Sequence, residues 1–278
     1  MKKSLRIFAY LSAVPALLAA RFAMAAGQPA PWAKGLQEGV TPVRHQMDAF
    51  HDGILMPIIT VIALFVLALL IYVVVRFNAK ANPTPSKTSH NTMLEVVWTL
   101  IPVLILVVII IPSMKLLYFA DRTADAEMTL KVIGHQWNWE YEYPDHGEIN
   151  FTALMVQDED LKPGQPRLLT TDNPVVLPVD TNIRLLMTSV DVLHAWAVPA
   201  FGVKLDTVPG RINETWVRIE KPGTYYGQCS ELCGALHGFM PIEIHAVSTD
   251  EFAKWVVAQG GTMPEKPETT AQKEETGE

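Results

Sequence analysis

Cysteine is scarce in this chain. Among 278 residues there are only Cys229 and Cys233, both within the stretch "GQCSELCGALHGFM" from Gly227 to Met240. The C-x-x-C-H run needed for covalent haem attachment is absent. Charge is missing from two long segments, Gly53–Val75 and Val96–Pro112. Acid is missing from the linker between them, "RFNAKANPTPSKTSHN", which carries Arg76, Lys80 and Lys87. Beyond the second apolar segment no long amphipathic helical pattern occurs, and no internal repeat is visible anywhere.

What is present follows from those gaps. Hydrophobic residues make up 49% and mean hydropathy is +0.18, which directs attention to membrane segments. The start has Lys2, Lys3 and Arg6, then an apolar run shortened by Pro15 and Arg21, then "AMAA". That is the anatomy of a signal peptide, expected over residues 1–26 and cleaved, followed by an exported segment over 27–52. The uncharged run from Gly53 to Val75 is long enough to cross a bilayer core of about 30 Å. The second run extends to Phe119 if Lys115 snorkels at the boundary. We therefore expect spans over 53–75 and 93–119, joined by a loop over 76–92. The basic loop predicts a cytoplasmic location, so that everything after Tyr118 lies on the exported side.

From Asp121 onward there are 12 Lys and Arg against 25 Asp and Glu, a net charge of −13. Such a field repels nucleic acid and attracts basic proteins or cations; a merely solubilising surface would look the same. The runs Thr129–Tyr143, Ile183–Val190, Thr215–Glu220 and Pro241–Val247 alternate at period two and read as strands. Turn signals such as "KPGQP", "TDNP" and "VPGR" separate them. This pattern predicts a β-sandwich or barrel over residues 120–260. Ser248 and Glu251 form a capping-box pattern that opens one short C-terminal helix stopping at Gly260. Residues 261–278 are polar and predicted to be disordered.

The two cysteines admit a structural disulfide, a redox dithiol or a metal site. In an exported protein a disulfide is the default for a lone pair. His237 and Met240 follow Cys233 at spacings of four and three residues, and a disulfide requires neither. Thiolate, imidazole and thioether form the ligand set of copper electron-transfer sites, whereas zinc seldom takes a methionine. A second cysteine suggests two coppers bridged by two thiolates, and these need a further imidazole. His135, His146, His194 and His245 are the candidates, with His194 in an apolar loop after a strand.

The motifs "GQCSELCGALHGFMP", "DVLHAWAVPAFGVKLDTVPGR" and "GHQWNWEYEYP" resemble subunit II of haem–copper cytochrome c oxidase, the subunit that holds the dinuclear CuA centre. The resemblance runs from about His45 to Trp255 and fails mainly in "MVQDEDLKPGQPRLLTTDNP" and the tail. It implies a two-helix transmembrane hairpin followed by an all-β cupredoxin-like domain with a short C-terminal helix. Cys229 and Cys233 would bridge both coppers. His194 and Met240 would complete one copper, and His237 with the backbone carbonyl of Glu231 the other. The Glu231 side chain would face a magnesium or manganese ion shared with subunit I. Trp137 would take up the electron from cytochrome c, with Trp139 a core aromatic on the same strand face. Glu140, Glu142, Asp145, Glu148 and Asp191 would form an acidic docking face for that basic donor. Glu95 matches the mouth of a proton-uptake path, although a boundary glutamate is unexceptional.

The resemblance implies an electron-accepting subunit that relays to haem in subunit I, where oxygen is reduced to water and protons are pumped. Partners would be subunit I, subunit III, cytochrome c and lipid, in a bacterial inner membrane, with no nucleic acid. Other readings fit less well. Quinol oxidase relatives lack the copper ligands, and a nitrous-oxide reductase copper domain would not carry the hairpin. A thioredoxin-like copper chaperone predicts βα alternation and a single anchor. A disulfide-stapled scaffold leaves His194, His237 and Met240 unexplained.

Overall fold

The structure is a computed structural model that describes residues 27–123 and 125–264. The expected signal peptide and the tail from residue 265 lie outside the described residues. The chain divides into two compact units, one formed by Pro42–Arg122 and one by the segments on either side of it.

In the helical unit α1 (Pro42–Phe50) passes through a π-turn, His51–Leu55, into α2 (Met56–Arg76). The helix therefore opens at Pro42, ahead of the apolar run. Arg44 and Asp48, four residues apart and 2.8 Å from one another, support the polar first turns. Asn78 closes α2 by donating from Nδ2 to the carbonyls of Val74 and Val75. The second long helix, α3 (Thr92–Ala120), begins with Asn91, whose side chain accepts from the Leu94 N–H. Both α2 and α3 are apolar on every face and expose that surface along their length, as helices that meet lipid or another membrane protein must.

The other unit is a two-layer β-sandwich. Its strands are β1 (Met128–His135), β2 (Asn138–Glu142), β3 (Asn150–Ala153), β4 (Val175–Pro178) and β5 (Ile183–Ser189). They continue with β6 (His194–Val198), β7 (Val203–Thr207), β8 (Asn213–Val217), β9 (Gly223–Cys229) and β10 (Pro241–Val247). One sheet has the order β3-β2-β1-β5-β8 and the other β4-β10-β9-β6-β7. Leu130, Val132, Trp139, Tyr141, Leu185 and Met187 of the first sheet share a buried core with Trp196, Val198, Tyr225, Ile242 and Ile244 of the second. On β5 burial alternates residue by residue, which is why that strand is legible as a period-two pattern.

Two expectations change. The run Thr129–Tyr143 is not one strand but a hairpin: His135 pairs with Asn138, leaving Gln136 and Trp137 as the turn. Trp137 and Trp139 therefore do not share a strand face. His194 opens β6 instead of sitting in a loop. The stretch from Met155 to Thr171 forms an excursion closed by a bridge between those two residues; its return is held by the buried Glu243, which accepts from the Thr171 N–H at 2.7 Å. After β10, α4 (Thr249–Ala258) begins with the expected Ser248–Glu251 capping box and buries Phe252 and Val256.

Candidate metal centre

Backbone register places half of the site. β6 and β9 are neighbours, with Trp196 opposite Cys229, so the first residue of one strand and the last of the other meet. His194 Nδ1 lies 3.9 Å from Cys229 Sγ. Gly134 on β1 leaves room for the imidazole, since a Cβ there would stand 2.8 Å from His194 Cδ2. The other half hangs on the loop between β9 and β10. Cys233 Sγ is 3.9 Å from Cys229 Sγ, 3.5 Å from His237 Nδ1 and 3.5 Å from Met240 Sδ. A short 3₁₀ turn, His237–Phe239, returns the chain so that Met240 faces the cysteines. The Glu231 carbonyl lies 3.3 Å from Cys229 Sγ.

Both cysteines are free and buried, with sulfurs much farther apart than the roughly 2 Å of a disulfide. His194 is fully buried and Met240 nearly so. His194, Cys229 and Cys233 hold their donor atoms within 4.8 Å of one another. Two thiols with an imidazole Nδ1 turned to each, and a thioether beside one, form a soft donor set that fits a copper site of the CuA kind.

The electrostatics favour a cation. Burial pushes the Cys229 thiol up, but hydrogen bonds with His194, the Glu231 and Ala195 backbone and His237 together bring it down to about 6. Burial and the neighbouring Cys229 charge both raise Cys233. Burial also works against the charged form of His194, yet Cys229 and Asp191 together raise its pKa. Both shifts favour separation of charge between Cys229 and His194, and a metal ion can take the place of the proton they share.

Around the cluster stand groups that fix it. Asp191 Oδ1 lies 2.8 Å from His194 Nε2, which leaves Nδ1 for the sulfur side. Asp191 is itself held by the N–H groups of Gln136 and Val192, each at 2.6 Å, and by the Ser189 hydroxyl. Trp139 is fully buried and donates to the Met240 carbonyl at 3.2 Å. The Trp137 indole N–H and the Gln136 side-chain amide both donate to the Cys233 carbonyl, at 3.1 and 2.8 Å.

The remaining expected residues are placed as follows. Glu231 is half-buried in the cysteine loop. Glu140 pairs with His135 at 2.8 Å and accepts from Asn150; burial raises its pKa, but these bonds hold it below the usual carboxylate range. Glu142 pairs with Lys131, and Asp145 accepts from the Thr129 N–H. Glu148 is exposed. Glu95 stands in the first turn of α3, where the Thr99 hydroxyl donates to its carbonyl. Of the other histidines, His135 pairs with Glu140, His245 with Glu243, and His146 packs on Phe252. Sequence reasoning missed Gln136 and Ser189, and gave Asp191 a docking role alone; only its spacing three residues before His194 hinted at more.

Comparison with known proteins shows the family. The family model described as cytochrome c oxidase subunit II, periplasmic domain, matches residues 128–247, and the corresponding transmembrane domain matches residues 29–116. A protein of Rickettsia bellii (strain RML369-C) named probable cytochrome c oxidase subunit 2 is 50% identical over 234 residues, 84% of this chain and 87% of that protein. Cytochrome c oxidase subunit 2 of Oenothera berteroana is 47% identical over 232 residues, covering 81% and 90%. The crystal structure of the periplasmic domain of cytochrome oxidase subunit II from Bradyrhizobium japonicum is 52% identical, with a TM-score of 0.47, and covers 50% of this chain and 97% of that one.

Proposed function

The chain belongs to the cytochrome c oxidase subunit II family, a membrane-anchored subunit of a haem–copper oxidase with a periplasmic domain, and on that premise we propose how its residues take up and pass on electrons. The carrying observation is the convergence of two free buried thiols, two imidazole Nδ1 atoms and one thioether on a single point of the sandwich.

Cys229 and Cys233, with His194, Met240, His237 and the Glu231 carbonyl, would hold a pair of coppers. When bound, the pair supplies one-electron storage with little change of geometry. The chain's own residues do the rest. Asp191 orients His194, and Trp139 steadies the backbone at Met240. Burial of both thiols keeps bulk water off the cluster. Trp137 takes up the electron, because its indole joins the turn to the Cys233 carbonyl through one hydrogen bond. A reduced cytochrome c gives up one electron and leaves as the ferric form; that electron passes to haem in subunit I, where oxygen reduction and proton pumping take place.

Docking is guided by the acidic exported part, with Asp191 and Glu140 beside the Trp137 turn and Glu142, Asp145 and Glu148 towards the far end of the β1–β2 hairpin. The Glu231 carboxylate would hold a magnesium or manganese ion shared with subunit I, and subunit III would complete the assembly. The loop bearing Arg76, Lys80 and Lys87 faces the cytoplasm of a bacterium, with Glu95 close to a proton-uptake mouth. The domain boundaries proposed are those of the sequence reading, with the signal peptide removed.

The test uses the full-length chain in detergent, loaded with copper under reducing conditions and then oxidised. Two coppers per chain sharing one unpaired electron in the EPR spectrum are expected, and Cys229→Ser should abolish the signal. A single copper with a localised spectrum, or a covalent bond between the two sulfurs that resists metal loading, would refute the proposal.

A further inference from the structure

We infer that Gln136 is a positioning residue for electron uptake: it holds the Trp137 indole against the backbone of Cys233. The inference rests on the reading of the cysteine cluster as the electron-accepting site. It starts from the β1–β2 turn. With His135 opposite Asn138, only Gln136 and Trp137 lie outside the ladder, and no sheet bond fixes where their side chains go.

Three hydrogen bonds fix them instead. The Gln136 backbone N–H donates to Asp191 Oδ2 at 2.6 Å, and the other oxygen of Asp191 holds His194. The Gln136 side-chain amide donates to the Cys233 carbonyl at 2.8 Å, next to the Trp137 indole N–H at 3.1 Å. A carbonyl has two lone pairs, and here both are taken by adjacent residues of one turn. Because a carbonyl can only accept, it also decides which end of the amide faces inward.

The loop is shaped to receive the turn. Gly234, next to Cys233, has φ +118°, where other residues are strained. A Cβ on it would lie 3.0 Å from the Trp137 ring and 3.2 Å from Gln136 Nε2. Gln136 thus reaches the His194 half of the cluster through Asp191 and the loop half through Cys233. A residue whose task was contact with a donor protein would turn its amide outward. Gln136 is exposed, yet its backbone N–H and its side-chain amide nitrogen both bond into the molecule. Without the side-chain brace the turn keeps its Asp191 anchor but the indole is left with one bond to the loop; electron transfer slows steeply once a through-bond contact becomes a gap.

Gln136→Glu tests this, since it keeps the shape and removes the amide donor; Gln136→Ala removes both. An exposed turn position lets either variant fold. Two measurements are needed. In the full-length, metal-free chain labelled with ¹⁵N-tryptophan in detergent, the Trp137 indole N–H, assigned with Trp137→Phe, should exchange with solvent about tenfold faster in both variants. In the whole oxidase, reduction of the copper centre by bound cytochrome c should slow by about tenfold or more, while KM for cytochrome c in Gln136→Ala and the copper EPR spectrum stay unchanged. A docking role predicts the opposite for Gln136→Ala: loss of an exposed contact would raise KM for the donor and leave the internal step alone. Unchanged indole exchange, or an internal step at the wild-type rate, overturns the inference. The exchange measurement needs no copper, so failure of the electron-accepting reading would show separately, as a wild-type chain with no delocalised copper signal.

Discussion

Asp191 stands three residues before His194, and both of its carboxylate oxygens are engaged, one by the imidazole and one by the Gln136 N–H. An oxygen so occupied contributes charge to a docking face but cannot readily turn to meet a partner. Its stronger effect is on the imidazole, whose tautomer and ring plane it sets. Asp191→Asn keeps the shape and removes the charge, and its amide cannot serve as the acceptor on both sides. Copper affinity should fall by about 10- to 100-fold, the usual cost of losing such a support, as measured by competition with a chelator. Equal affinity in the variant would remove Asp191 from the site. The ligands themselves were legible in the sequence because Cys229, Cys233, His237 and Met240 lie within fourteen residues. Gln136 was not, because the cysteine whose carbonyl it meets is 97 residues away, and a lone glutamine carries no periodic signal.

Among the elements, β5 was readable and β4 and β6 were not. The reason is burial: β5 alternates between buried and half-buried residues, whereas β4 and β6 are buried at every position. A strand covered on both faces loses its period-two pattern, and "HAWAV" then looks like an apolar loop. The opposite error joined β1 to β2, since the alternation runs unbroken across a two-residue turn.

The C-terminal helix offers a pH test at this scale. The α4 end is clasped to the β2–β3 connection, with His146 N–H and carbonyl groups facing Thr262: the Thr262 N–H donates to the His146 carbonyl at 3.1 Å, and His146 Nδ1 lies 3.4 Å from the Thr262 carbonyl. The imidazole packs edge-on against Phe252, and its Nε2 is buried with no partner among the described residues. Burial lowers the His146 pKa, against the opposing influence of the Thr262 carbonyl and Asp145. The unfolded chain therefore binds a proton more readily than the folded one. This contribution to stability is complete above the unfolded value of about 6.5 and is lost as pH falls below it. Melting curves of the full chain between pH 7.5 and pH 5, as approximate limits, should show a smaller decline for His146→Asn, which keeps a donor near Nδ1 and does not titrate. Parallel curves for the two proteins would count against a buried neutral histidine.

For the whole molecule, charge is divided unevenly. The part from Asp121 onward carries −13 within a chain whose net is −7. Surface fields of this kind act on encounter more than on the bound complex. Raising ionic strength from about 10 mM to about 150 mM shortens the screening length from about 30 Å to about 8 Å. The bimolecular rate with a basic cytochrome c should drop by roughly tenfold or more over that range, while reduction within the bound complex stays constant. A rate indifferent to salt would mean that this charge only keeps the domain in solution. The two-part architecture was visible from hydropathy and turn spacing, because bilayer length and strand punctuation are properties of short windows. Sheet order was not, since it depends on which distant strands meet.

One consequence lies in how the ligand set is divided between strands and loop. Cys229 and His194 are set by adjoining strands, whereas Cys233 and Met240 lie on a loop whose carbonyls are held by Trp137, Gln136 and Trp139. Damage to the hairpin tip would thus spare one half of the ligand set and disturb the other.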